Sequence, residues 1–278
     1  MVSICFKSQN KKTIIKLEQY LEATNFNNLI YSSRKFSKFY NFIIHFCGND
    51  NSSFYKFISN LFCTFIKENY EEKFIRTQLQ SDFFYFSNQE QTEILGNTKE
   101  LLNTTDISSE KNSILQSIIL SYITTNRNCI VEGFINFRIY KYRNLINKIL
   151  EEKVHEFVIQ KEYLEYINLL QDYISTKSTR TQLVHLIYSS DNKILVDEYS
   201  NVITTTSEKK YLSDISFSEN DFILNSILSL MPKKLLIHCN EKEDNFIQFL
   251  STIFGDKCSI CTSCKFCSNF LKKQKKVP

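Results

Sequence analysis

The chain predicts a helix-rich α+β protein: an N-terminal α/β piece, long central helices, and a C-terminal mixed sheet in which a β-meander is followed by a βαβ unit. Three observations lead to that class. Between 129 and 175, apolar residues recur at i, i+3, i+4 and i+7 over many turns, interrupted by one glycine and no proline. After Thr176 the pattern shortens into branched and aromatic runs separated by Ser, Asp and Asn clusters. Near the N-terminus, strand-like and helix-like runs alternate.

Taken in order, residues 2–6 (VSICF) form a short β-prone run, and 11–23 carry Ile14, Ile15, Leu17, Tyr20 and Leu21 at helical spacing. Residues 38–47 (KFYNFIIHFC) read as a strand that stops at Gly48-Asn49-Asp50. Asn51 or Ser52 is placed to cap the next helix, which carries Phe54, Ile58, Leu61, Phe62 and Phe65. Residues 73–103 read as mostly helical. Ser108 or Ser109 then caps a helix through Leu115, Ile119 and Tyr122, and Asn126-Arg127-Asn128 leads into the central stretch. That stretch presents Val131, Phe134, Ile135, Tyr142, Leu145 and Ile149 on one face and charged residues on the other.

In the last third, 183–188 (LVHLIY), 193–198 and 202–204 form a three-stranded meander, with 189–192 as the first turn. Ser218 caps a helix with Glu219 and Asp221 in its first turn, and the helix stops at Pro232. Residues 234–239 (KLLIHC) form a buried-type strand, 243–254 a helix ended by Gly255, and 257–261 a last strand. A strand–helix–strand of this length is a parallel, right-handed crossover. These boundaries divide the chain into an N-terminal α/β region (1–105), a central helical region (106–178), a C-terminal mixed region (179–262) and a Cys- and Lys-rich tail (263–278).

Composition narrows the functional classes. The 24 Phe and 15 Tyr without any Trp, beside abundant Lys, Asn and Ile, match an AT-rich codon bias better than an aromatic nucleic-acid surface. Five lysines and no acid fall in 263–278, so the rest of the +4 chain carries a net charge of about −1. A basic footprint across a domain is absent, which argues against nucleic acid as a partner; the tail is the one segment that can attract RNA, DNA or anionic lipid. No apolar run is long enough to span a bilayer, and Lys7, Lys11 and Lys12 break any secretory core at the start. The expected location is the cytoplasm, where the nine Cys are reduced thiols or metal ligands.

The segment Val131-Glu132-Gly133-Phe134-Ile135-Asn136-Phe137-Arg138 resembles the EGF-x-x-FR signature of the YtxC-like family. Tyr142-Arg143, the Lys161-Glu162-Tyr163 run, the Val184-His185 strand, Met231-Pro232-Lys233-Lys234 and the Cys-rich end fit the same pattern, so the resemblance covers roughly 110–267. It implies a sporulation-linked cytosolic protein of endospore-forming bacteria with no assigned activity. It supplies no catalytic residues.

The strongest chemical pattern is Cys258-Ser259-Ile260-Cys261-Thr262-Ser263-Cys264-Lys265-Phe266-Cys267, four Cys at every third position. Ferredoxins use C-x2-C-x2-C-x3-C-P to hold iron–sulfur clusters; here the last gap is x2, the Pro is missing and there is no second Cys run. Zinc sites combine a C-x2-C with a distant pair, and His238-Cys239 is such a pair. If 234–239 and 257–261 are adjacent parallel strands, that pair shares a sheet edge with Cys261, where open α/β sheets place ligands. The expected ligands are Cys261, Cys264 and Cys267, with Cys239 or His238 as the fourth, and zinc ranks ahead of an iron–sulfur cluster. Cys258 falls lower in its strand as a core thiol. The alternatives are unligated thiols, with Cys5, Cys47, Cys63 and Cys129 scattered elsewhere, or a thiol redox role.

Glu132 and Arg138 are candidates for a structural ion pair, because Arg138 falls on the apolar stripe and a partly buried guanidinium needs a carboxylate. His155 reads as solvated, His185 as a cross-sheet hydrogen-bonding residue and His45 as part of an aromatic strand. Four glycines, at 48, 96, 133 and 255, cannot build a phosphate-cradling loop or a dinucleotide fingerprint. No nucleophile elbow or zinc-protease motif is present. A non-enzymatic protein acting on a protein partner is therefore the leading expectation.

Overall fold

The structure, a computed structural model, describes residues 2–24, 26–189, 193–203, 218–239, 244–264 and 267. The 190–192 part of the first meander turn, Thr204, Glu241, Glu243 and the lysines from Lys265 onward lie outside the described residues. The chain divides into two compact units, Met1–Ile159 and Gln160–Pro278. The architecture is helix-rich α+β, with one mixed sheet in each unit.

In the first unit, β1 (Val2–Ser8), β2 (Leu29–Phe36), β3 (Phe39–Phe46) and β4 (Asn128–Ile130) form a sheet in the order β2-β3-β1-β4. β1 runs antiparallel to β3 and parallel to β4. From Ile4 in β1 and Phe42 in β3 onward, buried and half-buried positions alternate, so Ile4, Phe6, Phe42, Ile44 and Phe46 all face one core. That face is covered by α1 (Lys11–Glu22) and α2 (Asn51–Ile66). α2 starts one residue before the position read from the sequence: Asp50 is the cap and accepts from the amides of Ser52 and Ser53. A π-helical turn (Lys67–Glu71) then joins α2 to α3 (Glu72–Asp82).

Two strands escape the sequence reading. β2, with its Ser-Ser-Arg-Lys centre, is an exposed edge strand, so it carries no apolar alternation to recognise. β4 is three residues long and is defined by its partner β1. Cys129, read above as the start of the central helix, is therefore a strand residue.

Ser87 opens α4 (Asn88–Leu102) with a reciprocal capping box to Glu90, and Thr104 precedes α5 (Thr105–Thr125). The central stretch is two helices rather than one: α6 (Val131–Phe137) and α7 (Tyr140–Thr176), broken at Arg138-Ile139. The first half of α7 contributes Tyr142, Ile146, Ile149, Leu150 and Val154 to the core of the first unit; Ile167 and Ile174 belong to the core of the second.

In the second unit, β5 (Thr181–Tyr188), β6 (Lys193–Asp197), β7 (Val202–Ile203), β8 (Pro232–Cys239) and β9 (Cys258–Cys261) form a sheet in the order β7-β6-β5-β8-β9. β5, β6 and β7 are the antiparallel meander; β8 runs parallel to both β5 and β9. α8 (Glu219–Leu230) starts in a capping box between Ser218 and Asp221, and Met231, in the left-handed region at φ 40°, turns the chain directly into Pro232 at the start of β8. α9 (Asn245–Phe254) is the crossover from β8 to β9. Its cap is Asp244, and it ends at Gly255, whose φ of 50° suits a residue without a Cβ. Val184, Leu186, Leu195, Leu235, Ile237 and Cys239 pack with Ile223, Ile227, Ile247, Leu250 and Phe254 of the two helices. Ile187, Val196 and Cys267 form a separate, small cluster.

Candidate metal centre

The parallel register of β8 and β9 sets His238 opposite Cys261. Side chains alternate along a strand, so His238 and Cys239 point to opposite faces. Cys239 enters the helix-covered core, only 1% exposed, whereas His238 faces the side of the small cluster and is fully buried. Beyond β9, Cys264 and Cys267 lie beside His238. The His238 Nδ1 is 3.3 Å from Cys264 Sγ and 3.4 Å from Cys267 Sγ. Cys267 Sγ is 3.7 Å from Cys264 Sγ and 3.9 Å from Cys261 Sγ. One donor atom from each of His238, Cys261, Cys264 and Cys267 lies within 4.8 Å of all the others.

That spacing can be compared with what a single ion requires. Zn–S bonds of ~2.3 Å place two sulfurs of a tetrahedral site roughly 3.8 Å apart. The sulfur–sulfur separations here, 3.7 and 3.9 Å, suit one ion at the centre of the four donors. A polynuclear iron–sulfur cluster needs its cysteines spread around a larger body. Of the two candidates for the fourth donor, the structure brings His238 to the three sulfurs and turns Cys239 away. Cys258, opposite Leu235 in the register, packs against the helix-covered core, and burial raises its thiol pKa.

The electrostatics divide the donors. The Ser263 amide, followed by the Cys264 thiol, lowers the Cys261 pKa. Burial pushes Cys267 up to about 11, so on its own it stays protonated at neutral pH. Burial, followed by the neighbouring His185, lowers His238 to about 4, which keeps the imidazole neutral. Behind His238 lies His185 of β5, with Nδ1 2.9 Å from His238 Nε2 and the two rings nearly parallel. For His238 to present a lone pair to the sulfurs through Nδ1, its proton must sit on Nε2, where it donates to His185 Nδ1. The cross-sheet bond read for His185 is thus made to the imidazole that faces the cysteines.

The other candidates lie in the first unit. Glu132 accepts a hydrogen bond from the buried Ser8 hydroxyl, and Arg138 is exposed, its guanidinium 5.8 Å from the centre of the Tyr122 ring. The two residues thus have separate partners. Arg138 leaves the apolar stripe because the helix breaks at that residue.

Among the described residues this unit holds a buried ion pair that the sequence reading missed. Lys111 Nζ lies 2.9 Å from Glu71 Oε1, with the lysine side chain 1% exposed, and the Tyr142 hydroxyl donates to Glu71 Oε2. Burial, then the Glu71 charge, raises the Tyr142 pKa and keeps it a hydrogen-bond donor. One signal was available: Lys111 sits four residues before Leu115 and eight before Ile119, on their stripe. His45 bonds Ser3 across β1 and β3, and His155 is exposed.

Among the described residues, no helix is long and apolar enough to cross a membrane. The chain has relatives among known proteins. The YtxC-like family model matches residues 56–259. The chain is 21% identical over 216 residues to the uncharacterized protein YtxC of Bacillus subtilis (strain 168), an alignment covering 73% of this chain and 75% of the relative. No solved structure matches. With a family match extending from α2 to β9, well over half of the 278 residues, the chain belongs to the YtxC-like family.

Proposed function

We propose that the second unit carries a structural zinc site in which Cys261, Cys264, Cys267 and His238 Nδ1 are the ligands, in a non-enzymatic cytoplasmic protein of the sporulation programme that acts through a protein partner. The observation that carries the metal is the convergence of three thiol sulfurs and one imidazole nitrogen, from β8, β9 and the residues after β9, at single-ion spacing. Four protein ligands leave no open position for substrate water, the mark of a structural rather than a hydrolytic zinc. The packing supports such a site: one face of the sheet is covered by α8 and α9, while on the other, among the described residues, the buried apolar cluster consists of Ile187, Val196 and Cys267. An ion there ties the chain beyond β9 to the sheet and adds to the small apolar cluster on that face.

Metal analysis of protein purified anaerobically tests this. One equivalent of zinc in the wild type, lost in Cys264→Ser and retained in Cys239→Ala, is the expected result. Iron with acid-labile sulfide would replace the zinc reading by a cluster, and a metal-free protein that fails to take up added zinc would refute the site.

A further inference from the structure

The corner between α6 and α7 has a property that the metal centre does not account for. A cleft of about 360 Å³ opens there, lined by Tyr122, Asn126, Phe134, Phe137, Arg138 and Tyr140, with α5 residues completing the wall. Tyr122 and Phe134 meet edge to face, with ring centres 5.0 Å apart, and form an aromatic floor. At the rim, Phe137 is 78% exposed and Tyr140 59%. Large aromatic surface left open on both sides of a concavity is a feature of ligand sites, and a volume near the lower end of the usual range suits a body of one or two rings.

The charge around the cleft has one sign. Arg138 is the single charged lining residue, and among the described residues no carboxylate pairs with it. Its guanidinium lies over Tyr122, a placement that leaves the N–H edge available to an oxyanion. Exposed Arg127 and Lys141 adjoin the lining residues Asn126 and Tyr140 in sequence. The cleft also holds the start of α7, at Tyr140. Arg138 and Ile139, which precede it, offer no side-chain acceptor, and the first turn contains no acid. Neither these two side chains nor an acid in the first turn caps the positive end of this helix. Guanidinium, a helix N-terminus and open aromatic rings converge on one small volume.

We infer that this cleft binds a small organic anion carried on a flat ring, with the anionic group held by Arg138 and the first-turn amides of α7, and the ring placed against Phe137 and Tyr140. A carboxylate and a phosphate satisfy the same donors, so the class includes aromatic carboxylates and nucleoside monophosphates. Isothermal titration of the full-length protein with phenylacetate and with adenosine monophosphate separates the two sources, and benzyl alcohol and adenosine serve as uncharged counterparts. The expected result is saturable one-to-one binding of at least one anion, at least tenfold tighter than its uncharged counterpart. Arg138→Gln should weaken it at least tenfold and Tyr140→Ser several-fold, while Arg34→Gln, on the exposed edge strand β2, should leave it unchanged. Arg138 and Tyr140 are both exposed, so both variants should keep the wild-type circular dichroism. The inference fails if neither anion binds, if the uncharged compounds bind equally well, or if Arg138→Gln and Tyr140→Ser both bind as the wild type does. None of these readouts depends on the metal content of the second unit.

Discussion

The two units handle buried polar groups in opposite ways. In the first, Lys111, Glu71 and Tyr142 satisfy one another: a cation, an anion and a hydroxyl donor close a network from within the chain. In the second, His238, Cys261, Cys264 and Cys267 point their donor atoms at a common centre, and three thiols with one neutral imidazole cannot complete one another in the same way. Thiols are weak hydrogen-bond donors and weak acceptors, so their mutual contacts contribute little. The first arrangement is complete as folded. The second is suited to an ion, whose binding energy then becomes part of the folding energy of that unit.

The sharpest way to break this contrast is to remove the ion. Chelation, or Cys267→Ser, is expected to destabilise the second unit while leaving the first intact; at a thousandfold excess of free zinc over Kd, the metal accounts for about 4 kcal/mol. Hydrogen exchange read separately over 2–159 and 160–264 checks this, and uniform loss of protection would break the contrast.

Next in size, Lys111→Met leaves the Glu71 carboxylate buried without its cation, at an expected cost of about 3–5 kcal/mol. The triple change Lys111→Met, Glu71→Leu, Tyr142→Phe should recover much of that, because no charge is then left unpaired. Urea unfolding of the two variants compares them, and zinc content should be unchanged in both.

His185→Leu probes a finer point. Losing the acceptor for His238 Nε2–H should lower zinc affinity by about 10- to 100-fold, read by competition with a chromophoric chelator. An unchanged affinity would mean that the packing around His238 alone sets its orientation.

The smallest expected effects come from a feature the units share. Ser87→Ala and Ser218→Ala each remove one capping box and should each cost about 1 kcal/mol in thermal unfolding of the zinc-loaded protein. Equal costs would show that the units differ in their buried polar chemistry and not in how their helices begin.

Much of this fold was legible in the chain. The β1–α1–β3–α2 opening, the meander and the β8–α9–β9 crossover all follow from periodicity, caps and the stops at Pro232 and Gly255. β2 and β4 were not legible, because an exposed edge strand and a three-residue strand are specified by their neighbours. The break at Arg138-Ile139 was hidden too, since the apolar spacing continues across it and no proline or glycine marks it.

For the candidate site, local sequence determined the donor types and their close spacing: a Cys every third residue from 258 to 267, and a His-Cys pair at the end of a strand. It left Cys239 and His238 as equal choices, because adjacent residues differ only in which face of a sheet they meet. That choice is tertiary. It depends on the parallel pairing of β8 with β5 and β9, and on α8 and α9 occupying the face toward which Cys239 points. The Lys111–Glu71–Tyr142 network is likewise a product of tertiary structure. Its members stand 40 and 71 residues from Glu71, and only the packing of three helical segments brings them within hydrogen-bonding distance. Periodicity along a chain reports which face of an element is apolar. Which residues from distant elements meet on that face is decided when the elements pack.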